Sequence, residues 1–251
     1  MIRLLFVGSG SKGNATLLFS GTTLIQIDMG LPLKRMKEGV REFGLELKDI
    51  QALFLTHNHS DHIKGIPLYH DRIPIYTGEG TYEGKIGQVL VPGVETEVGD
   101  IRVMPFSSSH DAPNPLNFLF EVKGERLAYI TDTGVILEEN LPLLENCDYY
   151  LFESNHDLKM LRLSSRPASL KARIRGKEGH LSNMQASEYL SDLLGPKTKE
   201  IYLAHLSEEC NDPEVALNTF SETFKRNHVS FPLEKIIPTK QRESVKGGDW
   251  E

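Results

Sequence analysis

The segment from His57 to His62 constrains this chain most, because it places three imidazoles and a carboxylate within six residues. Its sequence is His-Asn-His-Ser-Asp-His, and it directly follows the apolar run 52–56, which is typical of a buried strand. Imidazole and carboxylate groups suit Zn²⁺ or Mn²⁺ better than a metal that prefers thiolates. The pattern predicts a metal-binding turn between a strand and a helix, and a surface cluster without metal is the weaker alternative.

The spacing within this segment suggests that it contributes to two metal ions. On an extended segment, His57 and His59 point to the same side and can share one ion. Asp61 and His62 come where a helix begins, so their side chains diverge and can reach a second ion. Six residues cannot complete two sites, so we expect further ligands from later loops.

Three later residues occupy the position that such ligands require. His110, Asp132 and His205 each follow an apolar run that is typical of a strand. A hydrogen-bonded loop residue is the alternative for any one of them alone. Because all three share one topological position with the 57–62 segment, we expect one common site.

The apolar pattern along the chain predicts an α/β fold. Short strand-like runs alternate with Gly-rich turns and helical stretches, which favours one domain over 1–240 with two packed sheets and outer helices. The clearest helices are predicted over 31–43, 182–194 and 213–225. A shorter helix is predicted over 63–69, and the polar tail 241–251 is expected to be frayed.

The composition excludes several classes of protein. Hydrophobic residues make up 39% and charged residues 25%, which is ordinary for a soluble globular protein. No apolar run approaches the roughly 18 residues of a membrane span. Cys147 and Cys210 are too few for a disulfide framework or a thiolate zinc site. We therefore expect a cytoplasmic protein with no membrane association, and the sequence leaves the oligomeric state open.

The charge is unevenly distributed. The net charge of −7 argues against a general nucleic-acid coat protein. The stretch 159–177, however, carries basic residues and no acid. Within it, Arg173 and Arg175 are candidate substrate contacts, and a solvated helix face is the alternative for the whole stretch.

The order of these elements resembles the metallo-β-lactamase fold hydrolases over nearly the whole chain. The resemblance implies a four-layer αββα sandwich of two packed mixed β-sheets that binds two divalent metal ions, Zn²⁺ or Mn²⁺. It also implies a role for each candidate: His57, His59 and His110 hold the first ion, Asp61, His62 and His205 hold the second, Asp132 bridges the two, and Asp28 is a buried supporting residue.

Two-metal chemistry explains hydrolysis but does not identify the substrate. A water that bridges two divalent ions loses a proton near neutral pH and becomes a nucleophile, which Asp61 could orient. This chemistry serves lactams, thioesters and phosphodiesters alike. The Gly/Ser loop 8–14, with Ser11 and Asn14, favours a phosphodiester because its backbone N–H groups could meet an oxyanion. A flexible hairpin turn is the equally simple alternative for this loop.

His180 and Glu153 strengthen the phosphodiester hypothesis. His180 stands just before a predicted helix, for which Ser182 or Asn183 can serve as the N-cap. The Gly-His-Leu-Ser element resembles the Gly-His-Ser/Thr element of tRNA 3′-processing nucleases, in which the histidine protonates the leaving oxygen. Glu153 resembles the acid that orients that histidine, with a structural ion pair as the alternative. The nearby His156 has no assigned role.

Longer stretches resemble the YycJ/WalJ branch of the same superfamily. They are S-G-S-K-G-N-A at 9–15, H-S-D-H-I-K-G at 59–65, E-S-N-H-D at 153–157, G-H-L-S-N at 179–183 and L-A-H-L-S-E-E at 203–209. This resemblance implies a cytoplasmic, metal-dependent DNA exonuclease that acts from 5′ to 3′. The segment 67–92 looks short and Gly-rich, which could alter the lip of a substrate groove.

Other functions fit the sequence less well. A thioester, lactone, lactam or small cyclic-phosphodiester hydrolase could use the same metals, but the ester and lactam activities give no role to His180 or to the basic stretch. A metal-holding scaffold without catalysis is expected to have lost a ligand, and all the candidate ligands are present. A redox enzyme is disfavoured because the di-iron members carry Glu where His59 stands.

Overall fold

The computed structural model describes residues 1–66, 73–82 and 87–250. The chain divides into two compact units. Unit 1 comprises Met1–Ser107, Ala112–Arg126 and Lys240–Glu251, and unit 2 comprises Ser108–Asp111 and Leu127–Thr239. The single domain over 1–240 stays a prediction.

The secondary-structure elements are numbered along the chain. The strands are β1 (Arg3–Gly8), β2 (Ala15–Phe19), β3 (Leu24–Ile27), β4 (Ile50–Phe54), β5 (Ile75–Thr77), β6 (Gly87–Val89), β7 (Thr96–Val98), β8 (Ile101–Ser107), β9 (Leu116–Val122), β10 (Glu125–Ile130), β11 (Tyr149–Glu153), β12 (Glu200–Ala204), β13 (Ile236–Pro238) and β14 (Val245–Gly248). The α-helices are α1 (Leu33–Arg41), α2 (Ser60–Ile63), α3 (Leu141–Leu144), α4 (Leu158–Leu163), α5 (Ala168–Ile174), α6 (Asn183–Leu193) and α7 (Pro213–Arg226). Short 3-10 helices span Leu47–Asp49, Glu138–Asn140 and Leu233–Lys235.

Unit 1 contains a mixed sheet with the strand order β14-β1-β2-β3-β4-β5-β6. Strands β14, β1, β2 and β3 pair antiparallel, whereas β3, β4, β5 and β6 pair parallel. All residues of β2 and β3 are buried, which explains why both read as short apolar runs.

Side chains that alternate along β4 and Leu55 pack on opposite faces of this sheet, against different elements of unit 1. Leu53 and Leu55 belong to a core cluster that includes Met36 and Val40 of α1. Phe54 points the other way, and its ring meets Phe118 and Phe120 of β9 edge-on, with centroids 5.7 and 5.9 Å apart. Strands β7, β8 and β9 form an antiparallel group, so two sheets pack against each other inside unit 1.

Unit 2 is built on parallel strands. Strands β10, β11, β12 and β13 pair parallel in that order. Ile130 pairs with Phe152, and Phe152 pairs with Leu203, so the carboxyl ends of β10, β11 and β12 lie at one edge. In open α/β sheets this edge is where ligands bind. Among the described residues, no helix combines the length and apolar character needed to cross a membrane.

Three long helices are confirmed and two expectations change. Helices α1, α6 and α7 lie within the three predicted ranges to within two residues. The shorter helix differs from the predicted range 63–69, because α2 spans Ser60–Ile63 and meets that range only at Ile63; residues 67–69 lie outside the described residues. The segment 67–92 contributes β5 and β6, and its residues 67–72 and 83–86 also lie outside the described residues.

The prediction of a frayed tail over 241–251 is wrong for 245–250. Strand β14 pairs antiparallel with β1. Beyond it, Trp250 stacks on Phe43 with ring centroids 4.7 Å apart, and its indole N–H donates to the Leu4 carbonyl at 3.1 Å. A polar composition hid this segment, because its order comes from tertiary pairing and from one aromatic residue.

Candidate active site

The histidines of unit 1 converge directly after β4. His57 is buried, and its ring centroid lies 4.6 Å from that of His59 and 4.0 Å from that of His62. Asp61, in the first turn of α2, is half-buried and places its Oδ2 3.7 Å from His62 Nε2. The structure therefore brings the four predicted ligands of the 57–62 segment together, as the strand-to-helix turn requires.

Asp28 lies behind this segment and is fully buried. Its carboxylate accepts hydrogen bonds from the backbone N–H of Thr56 at 2.9 Å and from the Thr56 hydroxyl at 3.0 Å. Its Oδ2 lies 2.8 Å from His62 Nδ1. A carboxylate at this distance accepts the Nδ1 proton, so it orients the ring and leaves Nε2 as the ligand atom. Thr56 was not singled out from the sequence, because a threonine before a histidine cluster carries no signal of its own.

Four backbone N–H groups of the Gly/Ser loop make hydrogen bonds inside the protein. The backbone N–H groups of Ser9, Gly10, Gly13 and Asn14 donate to Lys240 O, Asn14 Oδ1, Gly10 O and Asp61 O, at 3.0, 2.7, 2.9 and 2.8 Å. These four donors are therefore used inside the protein and do not form an oxyanion cradle.

Asn14 supports the histidine segment from this loop. It is buried, and its amide nitrogen lies 2.9 Å from His62 Nε2 and 3.4 Å from Asp61 Oδ2. Ser11 is exposed at the tip of the loop. Gly30 passes so close to the turn that a Cβ there would lie 1.5 Å from the Asp61 carbonyl oxygen. Direct contact of Ser11 and Asn14 with substrate stays a prediction, and the structure assigns Asn14 an internal contact.

The candidates of unit 2 converge at the carboxyl edge of its parallel strands. Glu153 ends β11, whereas Asp132 and His205 follow β10 and β12. Asp132, Glu153, His180 and His205 each offer one ligand atom, and these four atoms lie within 4.8 Å of one another. His205 Nδ1 is 3.2 Å from Asp132 Oδ1 and 3.0 Å from Glu153 Oε1.

Three of the predicted residues share an uncommon backbone conformation. Asp28, Asp132 and His205 have positive φ angles of 58°, 50° and 56°. Non-glycine residues rarely adopt this conformation, and it concentrates at functional sites where the surrounding structure enforces it. Each of these residues comes at the end of a strand, so the sharp turn redirects its side chain out of the strand alternation.

Glu153, which is fully buried, pairs with the half-buried imidazole of His180. Glu153 Oε1 lies 2.7 Å from His180 Nδ1, and Oε2 accepts the backbone N–H groups of Thr133 at 2.8 Å and Leu181 at 3.3 Å. Burial raises the pKa of Glu153, but the charges and hydrogen bonds of His180 and His205 outweigh it and lower that pKa overall. Glu153 is therefore a carboxylate that accepts the Nδ1 proton of His180 and leaves Nε2 for proton transfer.

His110 is held in a neutral form suited to metal binding. Its Nδ1 lies 3.1 Å from the Gly179 carbonyl oxygen, which can only accept a proton, so Nε2 is left as the ligand atom. Burial lowers the pKa of His110, although nearby Asp132 opposes this effect. A neutral imidazole is the form that coordinates metal.

The basic stretch lies on α4 and α5 and is not uniformly a solvated face. Arg173 Nη2 lies 2.5 Å from Asp111 Oδ2, which places this guanidinium beside the loop that carries His110. Arg166 pairs with Glu209 at 3.0 Å, and Arg175 is exposed. A cavity of about 280 Å³ adjoins this region; its lining residues are Asp111, Arg173, Gly176, Lys177 and Glu178.

His156 is buried near Glu153 but is not a member of the group formed by Asp132, Glu153, His180 and His205. Only 1% of it is exposed, and within the residues that the structure describes its ring nitrogens have no hydrogen-bond partner. Burial lowers its pKa to about 4, against the opposing charge of Glu153. His156 is therefore neutral at physiological pH.

The donor set fits divalent metal ions. Nδ1 is occupied by Asp28 in His62, by Gly179 in His110 and by Glu153 in His205. Nε2 is therefore the remaining ring nitrogen in all three histidines, and in His62 the Asn14 amide nitrogen lies 2.9 Å from it. Metal-bound histidines in proteins show this pattern, with the second ring nitrogen donating to a carboxylate or carbonyl.

Comparisons with known proteins agree with this geometry. Residues 29–206 match the family described as beta-lactamase superfamily domain. Exodeoxyribonuclease YycJ of Bacillus anthracis is 34% identical over 232 residues, covering 87% of this chain and 88% of that protein. Exodeoxyribonuclease WalJ of Streptococcus pneumoniae is 34% identical over 224 residues, covering 84% and 83%.

A solved structure confirms the fold class. The metallo-beta-lactamase fold protein YhfI from Bacillus subtilis matches with a TM-score of 0.74 at 16% identity, covering 98% of this chain and 99% of that one. At this identity the likeness shows the fold alone. The metallo-β-lactamase fold expected from the order of the sequence elements is thus confirmed.

Proposed function

The chain belongs to the β-lactamase superfamily, and on that premise we propose that it is a metal-dependent nuclease that removes nucleotides from DNA ends in the 5′-to-3′ direction. The observation that carries this proposal is the Glu153–His180 pair, at 2.7 Å, beside Asp132 and His205. Hydrolysis of a phosphodiester benefits from a group that protonates the leaving oxygen, and this pair supplies one.

The proposed metal ligands are those that the family resemblance implies. His57, His59 and His110 would hold one Zn²⁺ or Mn²⁺ ion, Asp61, His62 and His205 would hold a second, and Asp132 would contribute its carboxylate to both. When bound, the ions acidify the attacking water and offset the charge that develops on phosphate. Asp28 and Glu153 hold His62 and His205 in the tautomer that metal binding requires.

The residues of the chain complete the reaction. Asp61 accepts a hydrogen bond from the attacking water and directs it at phosphorus. As the new P–O bond forms, the bond to the leaving oxygen breaks and His180 Nε2 transfers its proton to that oxygen. Glu153 stabilises the imidazolium form of His180 before the transfer, because its carboxylate is ionised and accepts the Nδ1 proton.

DNA is the proposed substrate because of the relatives and the basic stretch. Both relatives are named exodeoxyribonucleases and align over more than four fifths of the chain, at 87% and 84%. Arg173 and Arg175, in the same unit as His180, supply positive charge for phosphates. The cytoplasmic location and the 5′-to-3′ direction rest on the resemblance. A thioester, lactone or lactam hydrolase would give no catalytic role to the Glu153–His180 pair.

Digestion of end-labelled nucleic acid tests this proposal. Single- and double-stranded DNA and RNA, labelled at the 5′ or the 3′ end, are incubated with Mn²⁺, Zn²⁺ or Mg²⁺. We expect early release of labelled mononucleotide from the 5′ label of DNA, and no release after chelation of the metal. Absence of DNA cleavage with every metal would contradict the proposal. Early release of the 3′ label alone would contradict the proposed direction.

A further inference from the structure

A reciprocal amide pair lies behind the carboxyl edge of unit 2. Asn183 Nδ2 donates to Asn211 Oδ1 at 2.8 Å, and Asn211 Nδ2 donates to Asn183 Oδ1 at 2.9 Å. Ser154 closes the arrangement, because its hydroxyl donates to Asn183 Oδ1 at 2.6 Å and its carbonyl accepts from Asn211 Nδ2 at 2.8 Å. All three residues are buried.

These residues belong to three separate segments that carry the proposed catalytic groups. Ser154 directly follows Glu153, and Asn183 is the first residue of α6, three positions after His180. Asn211 precedes the N-cap of α7, and its Oδ1 accepts the Asp212 backbone N–H at 2.9 Å. One amide pair therefore joins the end of β11 to the starts of two helices.

Backbone hydrogen bonds extend the same connection towards His180 and His205. The N–H of Asn155 donates to Leu181 O, and that of Asn183 donates to His156 O, both at 2.9 Å. On the other side, the Asn155 amide donates to the His205 carbonyl at 2.9 Å. The residues after Glu153 thus lie between the His180 segment and the His205 segment and bind both.

The energetics of this cluster favour a role in positioning. A buried hydrogen bond contributes little net stability, whereas leaving a buried amide unpaired destabilises the fold by more than the bond contributes. Well-packed apolar residues would stabilise the fold as well, without the risk of unpaired polar groups. What the amide pair adds is one defined geometry, and a catalytic pair needs its geometry held to about 0.5 Å.

We propose that the Asn183–Asn211 pair, closed by Ser154, is a positioning element that sets Glu153 against His180 for protonation of the leaving oxygen. The inference rests on the proposed function, because it assigns the pair to the proton-transfer step of that reaction. Asn183, Asn211 and Ser154 touch neither substrate nor metal in this assignment and act through Glu153.

Two substrates with different leaving groups test it. DNA needs a proton on its leaving oxygen, whereas thymidine 5′-(p-nitrophenyl phosphate) releases p-nitrophenolate, which leaves without one. We expect Asn183→Ala to lower kcat on DNA about 10-fold or more and to leave KM little changed. The same variant is expected to lower kcat on the p-nitrophenyl ester by less than about 2-fold. Asn211→Ala is expected to match it, and the double variant to be no worse than either single variant.

A matched control separates positioning from general loss of packing. The Ser187 hydroxyl donates to Thr223 Oγ1 at 2.9 Å, which is a buried bond between the same two helices, α6 and α7. Ser187→Ala is expected to leave the ratio of the two activities unchanged. If Asn183→Ala does not fold, Ser154→Ala removes one hydrogen bond of the cluster and is expected to shift the same ratio in the same direction by a smaller amount.

The outcomes distinguish this inference from the proposed function. Equal losses on both substrates in the folded variants, or no loss in either, would overturn the positioning role while wild-type DNA cleavage upheld the proposed function. A wild-type protein that cleaves the p-nitrophenyl ester but no DNA would overturn both.

Discussion

Asp28 in unit 1 and Glu153 in unit 2 are both fully buried carboxylates, yet they support different numbers of histidines. Among the residues that the structure describes, the Asp28 carboxylate contacts the ring of one histidine, His62, and its other hydrogen bonds go to Thr56. Glu153 shares one oxygen between His180 at 2.7 Å and His205 at 3.0 Å. Under the proposed function, the first carboxylate would serve metal binding alone, whereas the second would serve both metal binding and proton transfer.

This difference follows from how each group is assembled. The histidines of unit 1 come from six consecutive residues, so a single strand-to-helix turn arranges them. The interacting residues of unit 2, Glu153, His180 and His205, come from segments more than 20 residues apart, so the parallel sheet has to bring them together. A shared carboxylate keeps two such distant histidines in a fixed relation.

Of the two carboxylates, Glu153 is expected to give the larger effect when it is replaced, by Glu153→Gln. Loss of the charge destabilises the imidazolium form of His180 and weakens the orientation of His205, so we expect kcat on DNA to fall about 10²-fold or more. Excess metal should not restore it. Asp148→Asn, which alters another buried carboxylate of unit 2 that pairs with Lys199, is the control. Full recovery of Glu153→Gln at saturating metal would show that Glu153 acts on metal binding alone.

Asp28→Asn is expected to have a smaller effect of a different kind. The variant should bind metal about 10- to 100-fold more weakly, because His62 loses the acceptor that orients it. Unlike Glu153→Gln, it should regain most of its turnover when metal is raised to saturation. Isothermal titration calorimetry measures the metal affinity, and DNA cleavage at each metal concentration measures the turnover. A defect in kcat that persists at saturating metal would show that Asp28, like Glu153, acts on more than metal binding.

His156 provides a test of the interior of unit 2 at low pH. Its folded-state pKa of about 4 lies below the ordinary value, so the unfolded chain takes up this proton first as the pH falls. Its contribution to stability is therefore lost between roughly pH 6.5 and pH 4, by on the order of 2 kcal/mol. His156→Leu should flatten the pH dependence of the urea midpoint there, whereas exposed His228→Asn should not. Identical pH profiles for wild type and His156→Leu would contradict this.

The smallest effect concerns the basic residues of α5 and its end. Arg173→Ala with Arg175→Ala should weaken DNA binding a few-fold and lower the slope of log affinity against log salt by about 1–2. Arg173 contributes less than a free arginine, because Asp111 already pairs with it. The control Lys225→Ala removes an exposed charge at the end of α7. An unchanged salt slope in the double variant would show that these arginines belong to a solvated helix face and do not contact DNA.

The two groups also differ in how far the sequence predicts them. The convergence of the 57–62 histidines could be predicted because they are closely spaced at the end of an apolar run, and the strand-end positions of Asp132 and His205 could be predicted from the apolar runs before them. The N-cap role of Ser182 was one of two predicted options, and its side chain does accept from Gln185 N.

Features that depend on tertiary packing could not be predicted. Asn14 turns inward to Asp61 and His62 because the loop folds over Gly30, which has no Cβ to keep it away. The Asn183–Asn211 pair joins residues 28 positions apart, so no local sequence pattern predicts the contact. The positive φ angles of Asp28 and Asp132 likewise arise from surrounding contacts.

Single-turnover cleavage of 5′-labelled DNA by wild type and His180→Ala, at equal and saturating Mn²⁺, tests the central claim most directly. The account predicts release of labelled mononucleotide by the wild type and a rate about 10²- to 10⁴-fold lower for His180→Ala. Both proteins should bind the same amount of metal. Equal rates for the two proteins, or loss of metal from His180→Ala in step with its activity, would contradict the account.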